Sequence, residues 1–204
     1  MRYPPDQKEE TRGRIVQAAS RRFRKGGAAV GIQDLMGSLK LTHGGFYRHF
    51  RSKDELFAEA LEKSLEEGAA RMARAAQDAP GHELEAIIRT YLSEEHCADL
   101  GGGCALAALT ADVARQSPEV RGSLDRALRR HALTLAAFVP GGNAGERQRR
   151  AMVLFSGMAG ALSTARAVSD EGIRRTLLAD ARSMFLRAFA SRPFFLTLWM
   201  IVII

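Results

Sequence analysis

The chain has 204 residues, 46% of them hydrophobic, which is enough apolar chain to bury the cores of one or two globular domains. Two cysteines, Cys97 and Cys104, exclude a disulfide framework, and no apolar segment follows Met1 to serve as a secretion signal, so a reduced, cytoplasmic compartment is expected. The formal charge of +7 is local: residues 1–53 carry 12 basic and 4 acidic side chains, and residues 54–204 carry 18 and 19, which points to a polyanionic partner for the first segment, against the competing reading of a solvated basic surface.

Residues 1–7, with Pro4-Pro5, read as an arm. From Lys8 to Lys25 a helix gathers Ile15, Ala18, Ala19 and Phe23 on one face, and Gly26-Gly27 ends it. Ile32, Leu35, Met36 and Leu39 mark a second helix, weakly capped because Val30-Gly31 stand where a capping side chain is wanted. Lys40-Leu41-Thr42 breaks the pattern. A third helix starts with Thr42 as its N-cap, buries Phe46 and Phe50, and turns His43, Gly44, Tyr47 and Arg48 outward. Gly44 and Gly45 in its first turn cost about 1 kcal/mol each relative to alanine, which implies close approach of another surface. Two short helices joined by a turn of about three residues form a helix-turn-helix.

Ser52-Lys53-Asp54-Glu55 reads as a capping box. It opens a long helix through Leu56, Phe57, Leu61, Leu65 and Met72, stopped at Pro80-Gly81 and long enough to join two domains. Leu84 to Leu92 makes a fifth helix, followed by the Gly101-Gly102-Gly103 loop, and Cys104 to Arg115 a sixth. Ser117-Pro118 restarts the chain as a seventh helix with Val120, Leu124, Leu128, His131 and Leu135. Ala151 to Val168 is apolar or small around most of its circumference, and Ser169 caps a ninth helix with Ile173, Leu177, Met184 and Phe185. A helix apolar on nearly all sides needs cover, which a second subunit supplies, the alternative being a plain central core helix.

The expected fold is therefore all-α with about nine helices. It divides into a DNA-binding head at residues 1–52, a ligand-binding and dimerisation domain at 53–192, and an apolar tail at 193–204. That tail is too short after Pro193 for a membrane span of about 20 residues, and docking against the protein is expected in preference to a membrane anchor.

Thr11-Arg12 through Phe23, Ile32-Gln33-Asp34-Leu35, and Leu41 through Leu56 resemble the N-terminal domain of TetR/AcrR-type transcriptional regulators over roughly the first 60 residues. The chain departs from that pattern at Lys40, where the turn commonly carries glycine, and at Val30-Gly31, where serine or threonine commonly caps. The resemblance implies that Thr42, Tyr47, His49 and Lys53 hold phosphates of a double-stranded operator. His43, Gly44 and Gly45 lie where a recognition helix meets base edges, with His43 the main side-chain reader, helped by Gln33 and Arg48. It also implies a homodimer through the last two helices, here Phe155, Gly157, Gly160, Leu177, Met184 and Phe185, and repression relieved by an unidentified small molecule.

Tyr91, Cys104, Thr110, His131, Phe155, Met158 and Arg166 are the candidates for the ligand cavity, since such cavities are mostly apolar with a few placed polar groups; each also reads as plain core. His96, Cys97 and Cys104 match no zinc spacing, and no nucleophile–base spacing or phosphate-cradling loop is present. No metal, cofactor or catalytic residue is therefore expected. The alternative from another class is a small helical enzyme or ligand carrier with an incidental basic N-terminus.

Overall fold

The structure, a computed structural model, describes residues 5–190. Among these residues it contains ten α-helices: α1 Pro5–Gly26, α2 Ile32–Ser38, α3 His43–Phe46, α4 Lys53–Gln77, α5 Glu83–Tyr91, α6 Glu94–Ala98, α7 Ala105–Val113, α8 Pro118–Ala136, α9 Ala144–Ala167 and α10 Glu171–Phe185. A 3-10 turn at Gly27–Ala29 follows α1, and a π turn at Leu186–Ala190 follows α10. Most of this order is legible in the periodicity. The helix that periodicity misses is α6, which is too short to show a repeat and starts on Ser93, whose hydroxyl accepts the His96 N–H at 3.0 Å. The tail at 193–204 lies outside the described residues.

Several helix ends differ from their expected positions. Proline is compatible with a first helical turn, so Pro5 to Gln7 belong to α1. At α9 the start moves seven residues upstream of Ala151, because Asn143 and Glu146 form a reciprocal capping box at 3.0 and 2.9 Å. The carboxylate of Asp170, not Ser169, caps α10 by accepting the Ile173 N–H at 2.8 Å. Ser117 makes no capping bond and its hydroxyl is buried without a partner, so Pro118 at N1 carries that start. At Ser52 half of the expected box forms: the hydroxyl accepts the Glu55 N–H at 3.1 Å, but the Glu55 carboxylate reaches the Arg51 N–H instead.

In the helix-turn-helix, Lys40 stands in the left-handed region at φ +59°. Its N–H bonds the Gly37 carbonyl at 3.0 Å and the Leu41 N–H bonds the Met36 carbonyl at 2.9 Å, a Schellman ending that glycine ordinarily supplies. Lysine thus takes up the glycine conformation with the strain that this implies.

The long α4 is the spine, packed against α1, α5, α7 and α8; α8 in turn packs on α9, and α9 on α10. Phe23 of α1 meets Phe57 of α4 with ring centroids 4.7 Å apart. Head and body are also clasped through charge. The Arg24 guanidinium, fully buried, donates to Glu67 of α4 at 2.9 Å and to the carbonyl of Gly103 at 3.3 Å. A Cβ at Gly27 would stand 2.9 Å from the Asp112 carboxylate of α7, so the chain passes that helix closely with φ +67°.

Candidate nucleic-acid interface and ligand cavity

Thr42 ends the turn and caps α3, its hydroxyl oxygen accepting the Gly45 N–H at 3.2 Å, which leaves its own O–H free to donate. The helix expected to bury both Phe46 and Phe50 ends at Phe46, and Phe50 follows the turn after it; the two buried rings still stack at 5.4 Å, fixing the inner side of α3 and that turn. The outer face is then determined. Thr42, His43, Gly44, Tyr47 and Arg48 are exposed, and so is Gln33 near the start of α2. The His43 and Tyr47 rings meet edge to face at 5.8 Å.

The two glycines separate in role. A Cβ at Gly44 would meet nothing within 4 Å, so nothing inside the chain asks for glycine there; a Cβ at Gly45 would approach the Thr42 hydroxyl at 3.3 Å and Met36 at 3.9 Å.

His49 is half-buried and its Nδ1 has no partner. Burial, then the cations Lys8, Arg12 and Arg48, hold its pKa below the ordinary value. A basic hollow of about 730 Å³ runs between α1 and α3, lined by Lys8, Thr11, Lys40, Arg48 and His49 among others. Sequence reasoning passed over Lys8 and Thr11, although their place at the start of a basic helix was a usable signal. Lys53 is partly committed elsewhere: its ammonium donates to the Ala28 carbonyl at 2.6 Å, tying α4 to the turn after α1 and leaving two N–H donors.

In the body, a cavity of about 180 Å³ opens between α4, α5, α6, α7, α8 and α9. Of the candidate residues, Tyr91, Cys104, His131 and Phe155 line it. Thr110, Met158 and Arg166 do not. The Thr110 hydroxyl is turned back onto the Leu106 carbonyl, and Met158 is wholly buried core. Arg166 donates to the carbonyls of His96, Cys97 and Asp99 at 2.9, 3.1 and 3.1 Å, closing the C-terminal end of α6, a duty invisible without that helix. The lining also includes Ser64, Arg71, Thr90 and His96, which the periodicity of single helices does not single out.

The six residues expected at a subunit interface also divide. Phe155 is buried in the cavity wall, and Gly157 lies under Phe185 of the same chain, where a Cβ would come within 2.8 Å of the ring. Leu177 is half-buried against the core. Gly160 is exposed with nothing within 4 Å of a Cβ, and Met184 is 62% exposed. Val153 of α9 and Ile173 of α10 are large exposed apolar side chains on the same pair of helices. Among the described residues no helix is long and apolar enough to cross a membrane, and no group of three or more His, Cys, Asp or Glu side chains is placed to hold a metal.

Residues 15–60 match the family model of bacterial regulatory proteins of the tetR family, a span that contains Gln33, the α3 residues and Lys53 but not Lys8 or Thr11. An HTH-type transcriptional repressor of Mycobacterium tuberculosis is 39% identical over 62 residues, covering 30% of this chain and 33% of that protein. The HTH-type transcriptional regulator TtgR of Pseudomonas putida is 37% identical over 78 residues, 38% of this chain and 37% of that protein. The chain thus spans about a third of the length of the curated relatives it matches.

Solved structures extend the likeness to the fold. A TetR-family regulator from Cytophaga hutchinsonii superposes with a TM-score of 0.74 at 17% identity, covering 93% of this chain and 100% of that one. A TetR regulator from Chloroflexus aurantiacus does so at 0.72 and 22%, covering 90% and 98%. The chain thus matches the tetR family model over residues 15–60 and shares the fold of solved TetR-family regulators over most of its length.

Proposed function

We propose that the chain is a cytoplasmic, sequence-specific DNA-binding transcriptional repressor that acts as a homodimer on a palindromic operator and is released by a small molecule. The observation that carries this reading is the short, capped α3, whose outer face presents Thr42, His43, Gly44, Tyr47 and Arg48 from the basic end of the molecule. Gly44 is free of internal contacts, so its missing side chain serves an outside surface, and a major groove is such a surface.

For dimerisation, α9 and α10 offer an outward face with Val153, Gly160, Ile173 and Met184. A homodimer there presents two α3 helices at a fixed separation, so a palindromic site follows from the two-fold axis. Release needs only that the ligand prefer the conformation in which that separation is wrong. The spine supports this coupling, because α4 carries Lys53 at the head and Ser64, Leu65, Gly68, Arg71 and Met72 at the cavity. The enzyme or carrier alternative has the cavity in its favour, but the regulatory relatives favour the repressor.

The test is a mobility shift with the purified chain on the DNA upstream of its own gene. A specific complex that weakens steeply between about 50 and 200 mM salt supports the reading. No complex on any DNA, with the protein folded, overturns it.

A further inference from the structure

Three features of the body cavity bear on what it holds. First, its polar lining is under-satisfied. The Tyr91 hydroxyl and His96 Nε2 are buried with no hydrogen-bond partner, and Tyr91 is 5% exposed. Burial, then the Cys104 thiol beside it, raises the phenol's pKa, and that thiol, a weak partner, stands short of a well-formed hydrogen bond to the hydroxyl. Orphaned buried polar atoms cost free energy, so a site that keeps them has a use for them.

Second, the nearby charge is mixed, with Asp99 and Glu67 close enough to favour the Arg71 cation, but the half-buried ion in the lining that has no bonded partner is Arg71. Arg71 lines the cavity half-buried and makes no hydrogen bond or ion pair among the described residues, whereas Arg24, close behind it, is matched by Glu67. Arg71 and Arg166 both lie near enough to act on Tyr91 and His96. Glu95 and Asp99 also line the cavity, but both are exposed to water, and Asp99 already accepts the Gly102 N–H at 2.7 Å.

Third, the walls are aromatic and the volume small. The rings of Tyr91 and His131 flank Phe155 at 6.0 and 4.9 Å, in a cavity of about 180 Å³. The tautomer of His96 is set by its surroundings. Nδ1 faces the Tyr91 carbonyl at 2.7 Å and must donate to it, so in the neutral ring Nε2 is an acceptor. Burial, reinforced by Arg166 and Arg71, holds the His96 pKa low and so keeps that ring neutral, although the Tyr91 carbonyl opposes the shift.

We propose that this cavity binds a small aromatic acid that also bears a hydroxyl group: the carboxylate sits at Arg71 within reach of the Tyr91 hydroxyl, the ring lies against Phe155 and His131, and the hydroxyl donates to His96 Nε2. The proposal rests on reading the cavity as the effector site. A neutral or cationic ligand leaves Arg71 desolvated and unpaired, whereas a carboxylate answers it with charge-assisted hydrogen bonds.

Calorimetric titration of the full chain tests it, with 4-hydroxybenzoate, the uncharged 4-methylphenol and benzylamine as probes. The expected order has the acid binding at least tenfold more tightly than 4-methylphenol and benzylamine weakest. Arg71→Gln should bring the acid down to the level of 4-methylphenol. Tyr91→Phe, which deletes one orphaned hydroxyl, should weaken the acid while raising the melting temperature of the free protein, a pairing that a merely structural tyrosine would not give. If 4-methylphenol or benzylamine binds as well as the acid in the parent and Arg71→Gln changes nothing, the acid class is overturned while the cavity reading stands. If none of the three binds the folded parent chain, both are overturned.

Discussion

At the scale of single residues, the head separates groups that hold the chain together from groups free to hold something else. Lys40 is a lysine where the turn demands a left-handed backbone, and it is exposed. Lys40→Gly should therefore raise stability by about 1 kcal/mol, read by chemical denaturation, because glycine adopts that φ without a Cβ penalty. Specific and nonspecific contacts separate too. His43 is exposed on the first turn of α3, so His43→Ala should alter base preference at one position of each half-site by roughly 1 to 3 kcal/mol in a binding-site selection. Lys53→Ala should weaken binding to all sequences alike and lower the salt slope by about one per subunit. Since its ammonium also holds the Ala28 carbonyl, Lys53→Ala should in addition lower the melting temperature of the free protein, which His43→Ala should not. An unchanged base preference in His43→Ala, or an altered one in Lys53→Ala, would reverse these roles.

Between elements, two contacts decide more than their size suggests. The α1–α4 clasp buries the Arg24 guanidinium completely, so Glu67→Ala would leave a cation in the interior; a loss of about 3 kcal/mol is expected. Adding Arg24→Met should recover most of it, because an apolar pair of similar volume needs no partner, and a double-mutant cycle by denaturation measures this. On α9, two glycines three residues apart face different things. Gly157→Leu would drive into Phe185 of its own chain and should destabilise the fold by about 1 to 3 kcal/mol. Gly160→Leu meets nothing internal, so the fold should keep or slightly gain stability while the dimer dissociates. Sedimentation velocity on both variants checks this, and a Gly160→Leu protein as dimeric as its parent would remove α9 from the interface.

For the whole molecule, stability should depend on pH through three histidines. Burial is the leading cause that holds the pKa values of His49, His96 and His131 below the ordinary value of about 6.5. The folded state therefore binds protons less readily than the unfolded chain. Stability is fully present above about pH 6.5 and lost as pH falls from there toward the folded values. Glu67 adds a loss at lower pH. Burial pulls its carboxyl up, but hydrogen bonds from Gln17 and Arg24 outweigh that and hold it below the usual carboxylate range. The denaturation midpoint should accordingly fall between pH 7.5 and 5.5, and His131→Phe, which leaves an aromatic ring against Phe155, should flatten that fall.

What the chain announced by itself is the part of the fold that local physics dictates. Thr42 and Ser52 as caps and the burial of Phe46 and Phe50 act over a turn or two of helix, and they are met in the structure. Because the helix-turn-helix is two short helices joined by a local turn, its exposed face was legible from spacing alone. The cavity was not. It draws its wall from six helices, so spacing within any one of them assigned Thr110 and Met158 no better than Tyr91 and Cys104, and left Arg71 unnoticed. Only the packing of α4 against α5, α8 and their neighbours decides which polar atoms are left facing an empty volume. The same holds for Arg166, whose partners are carbonyls nearly 70 residues upstream on a helix too short to leave a periodic trace. Burial and charge pairing are properties of assembled surfaces, and a linear pattern fixes them only where the surface is built from one stretch of chain.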